Sequence, residues 1–309
     1  MLKEAIAYAV RPAARGYIRH APMHPGKRVV YNLFERYIAW RTYRATVRTR
    51  FADVMELWMP DLVSTTIYLT GRWEPLITRY IQANLKQGDT FIDVGANIGY
   101  YALLASRVVG TAGRVFAVEA SPSIYSHLMR NIELNDRLNI TAIHAAASEV
   151  KGELSIFSGP VHNLGHSTTV ASLAEKEGLK LESKVRADTL DALVGTENLR
   201  AARFIKIDVE GAELSVLAPL FGSLGEFNPS TEWLLELSPD NCAGGQDDVN
   251  RIFSAFMSKG YRAYTIENKY DPQFLLDPPS EVNLAPLTDA PRGGLHDVLM
   301  TRKSRSGIE

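Results

Sequence analysis

Two glycines and an asparagine separate an aspartate from two tyrosines in the stretch DVGANIGYY, residues 93–101. The stretch follows an apolar run, Thr90 to Val94, and precedes a helical pattern, so it is predicted to be a strand-to-helix turn. In an open parallel sheet a ligand lies outside the carboxyl ends of the strands, where a glycine-rich first turn lets the backbone approach it. Gly95 and Gly99 are therefore predicted to serve a ligand site.

Glu119 ends the next predicted strand, RVFAVEA, 24 residues after Gly95. A carboxylate at this position can accept hydrogen bonds from both hydroxyls of a ribose, so a cofactor that contains a nucleoside is predicted. GANIG lacks the third glycine of a dinucleotide-binding turn, and Asp93 and Asp208 can place negative charge near a cationic group. The pattern therefore favours S-adenosylmethionine, which has a sulfonium and no phosphate, over NAD.

Acidic side chains near the ends of later strands are the candidate bases. Methyl transfer to a hydroxyl needs a proton acceptor, which contributes a factor of about 10²–10⁴. Asp208 and Glu210 lie in FIKIDVEG, and strand alternation would put both on one side of the backbone. Glu210 has an alternative role in capping the next helix or orienting the cofactor's amino group, and His166, in a polar loop, is the third candidate. Glu236 is predicted to contact substrate.

A divalent cation is a further option at these strand ends. Asp208, Glu210, Glu236 and Asp240 offer enough oxygen ligands for Mg²⁺. The sequence determines none of the distances between them, so no metal site is assigned.

Alternating strands and helices from about residue 61 predict a parallel sheet covered by helices. The predicted strands are TFIDV, RVFAVEA, ITAIHAAAS, FIKIDVEG, WLLELSP, YRAYTIENK and HDVLMTRK. Only a loop separates the last two, so they are expected to pair antiparallel. GELSIF and KVRADTLDAL are predicted to be short extended pieces around the loop that contains His166. Trp73 and Glu74 are predicted to lie in a helix over the cofactor site, with a core position as the alternative for Trp73.

The N-terminal segment differs from the rest in charge. Residues 1–50 carry 11 Lys and Arg against two Glu, whereas the remaining 259 residues carry 23 basic and 33 acidic side chains. Near-helical spacing of apolar residues indicates that residues 1–60 form a basic helical extension, with the catalytic domain at 61–309. These apolar residues are Val30, Leu33, Tyr37, Ile38, Trp40 and Ala45. The helix packs on its own domain or, alternatively, docks on a membrane surface or a partner.

Composition limits the remaining classes. The chain has 309 residues, 46% of them hydrophobic, and a net charge of −1, which is typical of a globular protein. The acidic balance beyond residue 50 argues against nucleic acid as a partner. Cys242 is the single cysteine, no stretch approaches 18 apolar residues, and the first residues lack a secretory-signal pattern, so a cytoplasmic location is expected. Assembly into a homo-oligomer is left open.

Three stretches, FIDVGANIGYYALLAS, VFAVEASPSIYSHLMRNIELN and FIKIDVEGAELSVL, resemble the FkbM-type family of class I S-adenosylmethionine-dependent methyltransferases over roughly residues 73–265. The resemblance implies an α/β, Rossmann-like fold with a seven-stranded, mostly parallel sheet and a reversed last strand. It also implies methyl transfer to hydroxyls of sugars or natural products. By position it assigns the methionine half of the cofactor to Asp93, Gly95, Asn97 and Gly99, the ribose to Glu119, the adenine to Ala120, Ala145 and Ala146, and the methyl to Asp208, Glu210 and Gly211.

The sequence therefore predicts an S-adenosylmethionine-dependent O-methyltransferase for a small or glycosylated metabolite. One alternative keeps the fold but methylates nitrogen, or a lipid or polysaccharide at a membrane that the basic N-terminal helix contacts. A non-enzymatic alternative is a degenerate cofactor-binding scaffold. The intact DVGANIG turn together with Glu119 and IDVEG argues against the scaffold.

Overall fold

The computed structural model describes residues 2–21, 26–159 and 167–303. Its α-helices are α1 (Leu2–His20), α2 (Gly26–Phe34), α3 (Leu62–Thr70), α4 (Pro75–Asn84), α5 (Tyr100–Val109), α6 (Pro122–Glu133), α7 (Ala171–Glu177), α8 (Leu190–Val194), α9 (Thr196–Ala201), α10 (Glu213–Leu217), α11 (Gln246–Ser258) and α12 (Pro272–Leu276). A π-helix (Glu35–Ala39) and two 3₁₀ turns (Ala218–Leu220 and Leu224–Glu226) also occur. Within the described ranges, every helix is too short or too polar to cross a bilayer.

The strands form three sheets. They are β1 (Tyr43–Arg48), β2 (Val54–Met59), β3 (Thr90–Val94), β4 (Arg114–Glu119), β5 (Ile140–His144), β6 (Ala146–Ala147), β7 (Gly152–Ser158), β8 (Ser167–Thr168), β9 (Lys180–Asp188), β10 (Phe204–Ile207), β11 (Glu232–Leu237), β12 (Arg262–Ile266), β13 (Leu284–Leu287) and β14 (His296–Thr301). The central sheet has the order β13-β12-β14-β11-β10-β3-β4-β5. The short sheet β6-β9-β7-β8 contains GELSIF and the first half of KVRADTLDAL, which were predicted to be extended, whereas the end of KVRADTLDAL belongs to α8.

The central sheet has the predicted Rossmann-like topology. Strands β11, β10, β3, β4 and β5 are parallel, and β14 is antiparallel to both β11 and β12. The predicted reversed strand and the predicted antiparallel pairing near the end of the chain are therefore confirmed. Strand β13, which adds an eighth strand at one edge, was not predicted. Its sequence, LAPL, contains a proline and lacks a period of two, so it gives no strand signal.

Apolar side chains alternate across the central strands and fill both faces of the sheet. Phe91 and Phe204 belong to one buried cluster with Leu103 of α5. Ile92 and Ile205, their neighbours in the chain, belong to the cluster on the opposite face. Successive side chains of a strand point to opposite faces, so each strand supplies apolar side chains to the helices on both faces of the sheet.

The fourth predicted strand is shorter than FIKIDVEG, because β10 ends at Ile207. Glu210 has φ +50° and Gly211 has φ +89°, which are left-handed conformations that no strand contains. Strand alternation therefore does not place Asp208 and Glu210 on one side, and that part of the prediction is wrong. The loop that follows the strand must position both carboxylates.

The predicted helical character of residues 1–60 is correct only as far as Ala39. Residues 43–59 form the antiparallel hairpin β1–β2 instead. Exposed side chains at Arg44, Thr46 and Arg48 alternate with inward-facing ones, which is a period of two and not of 3.6. The helix prediction followed apolar residues at near-helical spacing, of which only Ala45 lies in the hairpin.

The N-terminal segment shares the core of the catalytic domain. The backbone N–H of Val54 donates to Asn135 Oδ1 over 2.7 Å, and that of Glu56 donates to Asn131 Oδ1 over 2.8 Å. The edge of β2 that does not pair with β1 therefore packs against α6 and the turn that follows it. Phe34 lies in the same buried cluster as the sheet residues of that face. The predicted boundary after residue 60 thus separates segments with one hydrophobic core.

Candidate active site

A cavity of about 380 Å³ lies at the carboxyl ends of the parallel strands. The loops after β3, β4, β10 and β11 converge there, which is where an open parallel sheet binds its ligand. The predicted cofactor residues that line it are Gly95, Asn97, Glu119, Ala120, Ala145, Ala146 and Asp208. The predicted catalytic residue Glu210 and the predicted substrate contact Glu236 line the same cavity. His166 lies outside the described residues.

Asp93 and Gly99 were predicted to line the methionine half, and the structure places neither at the cavity wall. Asp93 is 1% exposed, because it lies within β3 at the centre of the sheet. Burial raises its pKa to about 7, while the Lys206 ammonium lowers it. Gly99 begins α5 with φ +88°, and a Cβ there would lie 2.6 Å from Leu128 Cδ1, so its role is to let α5 approach α6.

Gly95 is required by a contact inside the protein. Its φ is +82°, and an added Cβ would lie 1.8 Å from the backbone oxygen of Asp208. Its N–H and that of Ala96 both donate to Val118 O, at 2.9 and 3.0 Å. The turn is thus hydrogen-bonded to β4 and packs against the loop after β10. Gly95 therefore lets the Glu119 side and the Asp208 side of the cavity lie close together.

Glu119 is held at the end of β4 by the backbone around it. Its Oε2 accepts the N–H of Asn97 and its Oε1 accepts the N–H of Ser121, each at 2.9 Å. Asn97 has φ +49°, a left-handed conformation that asparagine tolerates, and this conformation aims its N–H at Glu119. Each carboxylate oxygen has two lone pairs, so both retain capacity for a ribose hydroxyl.

Binding at Glu119 is expected to depend on pH. Burial raises the pKa of Glu119 to about 7. Hydrogen bonds from three backbone N–H groups lower this pKa, and the Glu182 carboxylate raises it. Hydroxyl donors bind the carboxylate better than the acid, and the ionised fraction falls from about nine-tenths at pH 8 to about one-tenth at pH 6. We therefore expect S-adenosylhomocysteine to bind about tenfold more weakly at pH 6 than at pH 8, measured by isothermal titration calorimetry.

The control for this prediction is Glu119→Gln, which keeps the size of the side chain but cannot titrate. Its affinity is expected to be low and the same at both pH values. Retention of the full pH dependence in Glu119→Gln would assign the titration to another group, and Asp93→Asn would then be measured because Asp93 has a similar pKa.

Small side chains line the cavity beside Glu119. Ala145 and Ala146 are buried at the end of β5, and Ala120 follows Glu119 directly. The N–H of Ala145 donates to the backbone oxygen of Glu119 over 3.2 Å, so this alanine pair is held beside Glu119. Methyl-sized walls leave a slot that a flat heterocycle fits. The residues present therefore fit an adenosyl group, with the sugar at Glu119 and the base among the alanines.

Three carboxylates meet in the part of the cavity away from these alanines. Asp208, Glu210 and Glu236 each offer an oxygen, and these atoms lie within 4.8 Å of one another. Burial raises the pKa of Glu236 well above its usual range, and the field of Asp208 adds to this. Since like charges at this spacing cannot all ionise cheaply, the protonated form of Glu236, which can donate a hydrogen bond, is favoured.

Lys206 is a site residue that the sequence reasoning missed. It is 3% exposed, and its Nζ donates to Asp208 Oδ2 over 2.6 Å. Burial works to lower its pKa, but the carboxylates of Asp208, Glu74 and Asp93 raise it, so the ammonium stays charged. A lysine inside the apolar strand FIKI was the available signal, because a buried charge requires a partner.

A second buried polar group borders the acids. Glu74 accepts hydrogen bonds from Tyr101 Oη at 2.6 Å, Tyr270 Oη at 2.7 Å and Asn268 Nδ2 at 3.0 Å. Glu74 and Trp73 both line the cavity, but they lie in the turn between α3 and α4 and not in a helix as predicted. The Trp73 and Tyr270 rings stack with centroids 5.2 Å apart. This end of the site thus combines an aromatic wall with fixed hydrogen-bonding groups.

Glu213 holds the loop that carries Asp208 and Glu210. Its Oε1 accepts the N–H groups of Val209 and Gly211, at 3.3 and 3.2 Å. Burial raises the pKa of Glu213 to about 7. Gly211 lies against Asn241, whose backbone oxygen would be 2.3 Å from an added Cβ. Gly211 therefore shapes the loop, and it is not at the cavity wall.

The carboxylates also include two groups with the spacing that a cation needs. One is Asp208, Glu210 and Glu236, and the other is Glu74, Glu236 and Asp297, each with oxygens within 4.8 Å. Oxygen ligands of this kind suit Mg²⁺ or Ca²⁺. The fourth predicted ligand, Asp240, belongs to neither group and instead accepts the N–H of Gly294 at 3.2 Å.

The geometry of this site can be set beside known proteins. Residues 93–263 match the family model described as Methyltransferase FkbM domain, and the match covers more than half of the chain. The matched stretch begins at Asp93 and contains Glu119 and Asp208.

Relatives with similar sequences are also methyltransferases by name. A methyltransferase from Sordaria araneosa is 31% identical over 165 residues, which cover 45% of this chain and 62% of that protein. A hexuronic acid methyltransferase from Haloferax volcanii is 28% identical over 159 residues, which cover 51% of this chain and 60% of that protein. The chain thus spans about three fifths of the length of these relatives.

A methyltransferase FkbM of known structure, from Methylobacillus flagellatus, is 16% identical to this chain. It superimposes with a TM-score of 0.40 and covers 76% of this chain and 52% of that chain. That likeness is too remote to add to the description of the site.

Proposed function

Because this chain belongs to the family of FkbM methyltransferases, we propose that it transfers a methyl group from S-adenosylmethionine to a hydroxyl of a sugar or similar small metabolite. Family membership agrees with the prediction from sequence and supports S-adenosylmethionine as the donor. One observation carries the proposal: Glu119, the small residues Ala145 and Ala146, and the acids around Asp208 line a single cavity. In this proposal the ribose site at Glu119 and the proton acceptor at Asp208 share that cavity.

The methyl donor, when bound, supplies a carbon that is already a strong electrophile. The residues of the chain must then align the acceptor, exclude water and remove a proton. Asp208 is the proton acceptor in this proposal, because Lys206 holds its carboxylate at the cavity wall. The raised pKa of Glu236 favours its protonated form, so in this proposal Glu236 positions the acceptor by donating a hydrogen bond rather than acting as the base.

Two observations support a sugar as the acceptor. The stacked pair of Trp73 and Tyr270 gives a flat apolar surface next to Glu74, Asp208 and Glu236. Apolar walls with a few fixed polar groups are how proteins orient small ligands. In addition, the relative from Haloferax volcanii is named as a hexuronic acid methyltransferase.

The proposal is tested first by calorimetry and then by turnover. S-adenosylhomocysteine is expected to bind at micromolar strength, about −8 kcal/mol, while NAD⁺ gives no measurable heat. The enzyme is then incubated with S-adenosylmethionine and a panel of uronic acid and neutral glycosides, and products are examined by mass spectrometry for one added methyl.

Mild alkali separates the acceptor groups, because a methyl ester hydrolyses and a methyl ether does not. An alkali-stable product is the expected result. A product that loses its methyl in alkali would move the acceptor from hydroxyl to carboxylate, and preferential binding of NAD⁺ would overturn the donor as well.

A further inference from the structure

Exposed apolar side chains are concentrated at the N-terminal end of the described chain. Val29, Leu33, Tyr37 and Trp40 are 58, 51, 61 and 69% exposed. Steps of four, four and three residues along α2 and the π-helix put them on one side, and we call these four residues the apolar stripe. More than half of the large hydrophobic residues described as exposed lie between residues 10 and 40.

A groove extends this surface. It lies between α1 and α2, has a volume of about 910 Å³ and is lined mainly by apolar side chains, among them Val10, Tyr17 and Val30. Leu33 and Tyr37 belong to both the groove and the apolar stripe. Surfaces of this size and character mark sites of contact with a partner or a membrane.

Basic side chains surround the apolar stripe. Arg28 and Arg36 are exposed beside stripe residues in the chain, and Arg41 lines the groove. In the sequence, 11 Lys and Arg stand against two Glu in residues 1–50. Burial raises the pKa of Glu35, one of these two acids, so its negative charge is disfavoured. Arg28, Arg36 and Arg41 therefore place positive charge beside the apolar stripe.

We propose that the apolar stripe and the surrounding arginines bind the surface of an anionic lipid bilayer. Tyrosine and tryptophan favour the boundary between headgroups and acyl chains, and Tyr37 and Trp40 are the two most exposed residues of the stripe. Anionic headgroups attract the arginines, as in other basic amphipathic segments. A second copy of the chain would bring an equally cationic face and be repelled, so lipid fits this surface better.

The surface adjoins elements that border the candidate active site. Arg28 Nη1 lies 3.4 Å from Gln273 Oε1 of α12, and α12 follows Tyr270, which lines the cavity. Leu62 and Val63, at the start of α3, also line the cavity, and α3 packs against α1. The segment that carries the stripe thus contacts elements that border the cavity. Lipid binding itself does not depend on the proposed methyl transfer.

Flotation of the full chain with lipid vesicles tests the proposal. Wild-type protein is expected to float with vesicles of equal parts phosphatidylglycerol and phosphatidylcholine, to remain behind with phosphatidylcholine alone, and to release in high salt. Leu33→Ser/Tyr37→Ser/Trp40→Ser is expected to lower the floated fraction about tenfold or more, since it removes most of the apolar anchor. Arg36→Glu/Arg41→Glu is expected to do the same through charge alone.

Leu138→Ser is the matched control, because Leu138 is 98% exposed and lies far along the chain, between α6 and β5. It should float like wild type, and all variants should bind S-adenosylhomocysteine equally, which shows that they are folded. Wild-type flotation by the triple variant, or failure of wild type to float with anionic vesicles, overturns the proposal. A wild-type dimer in light scattering that the triple variant converts to monomer, without lipid binding, would make this face a self-interface and also overturn it.

Discussion

Replacing Asp208 by asparagine is expected to lower kcat by about 10²- to 10⁴-fold, with little change in the affinity for S-adenosylhomocysteine. The Asp208 carboxylate lies at the cavity wall, 25% exposed, with Lys206 Nζ 2.6 Å from Oδ2. Asparagine keeps the shape and can still contact the Lys206 side, but its amide cannot accept the hydroxyl proton. Steady-state rates at saturating donor and acceptor give kcat, and calorimetry gives the affinity.

Two further variants make this prediction selective. Glu210→Gln is expected to have a smaller effect, because Lys206 Nζ donates to Asp208 Oδ2 over 2.6 Å and so holds the Asp208 carboxylate, whereas Glu210 lies in the following loop with φ +50°. Asp247→Asn, an exposed acid in the first turn of α11, should retain wild-type kcat. Unchanged kcat in Asp208→Asn would exclude it as the base and leave Glu210 and His166 as the predicted candidates.

Replacing Gly95 by alanine is expected to lower the free energy of unfolding by about 2–4 kcal/mol. The new Cβ would lie 1.8 Å from the backbone oxygen of Asp208, and Gly95 has φ +82°. Because the obstructing atom belongs to the backbone, the two turns must separate, and both the Glu119 end and the Asp208 end of the cavity would move. Urea unfolding followed by circular dichroism measures the loss of stability.

Gly88→Ala is the matched control for this prediction. Gly88 has φ +84°, nearly the same as Gly95, but nothing lies within 4 Å of an added Cβ. Its loss of stability reports the cost of a left-handed alanine alone, about 1 kcal/mol. Equal losses in the two variants would show that the contact between the turns is not the cause, and the close approach of Gly95 to Asp208 would be wrong.

Much of the site was predictable because its signals are local. The sequence DVGANIGYY predicts a strand, a turn and a helix from neighbouring residues, and FIKIDVEG predicts another strand end with acids. In a parallel sheet such ends must meet at one edge, so Glu119 and Asp208 were expected in one site before any distance was known. The cavity brings both together.

Other features could not be read from local pattern. The hairpin at residues 43–59 was predicted to be helix, since the near-helical spacing of the apolar residues was extended to residue 60. The edge strand Leu284–Leu287 has no strand pattern at all. Gly99 and Asp93 both occupy their expected places in the motif. Gly99, however, lets α5 pack against Leu128, and Asp93 is buried and does not line the cavity. Spacing reports which residues are near the turn and not which way each side chain points.

The sequence by itself thus determined the fold class, the family and the edge of the sheet where chemistry occurs, because these depend on short-range order along the chain. Only the tertiary structure decided how charge is distributed in the site. Burial raises the pKa of Glu236, and the carboxylates of Asp208, Asp297 and Glu74, which come from three distant segments, raise it further. Burial and the distances between charges set the pKa of such a group, and both quantities exist only once the chain is packed.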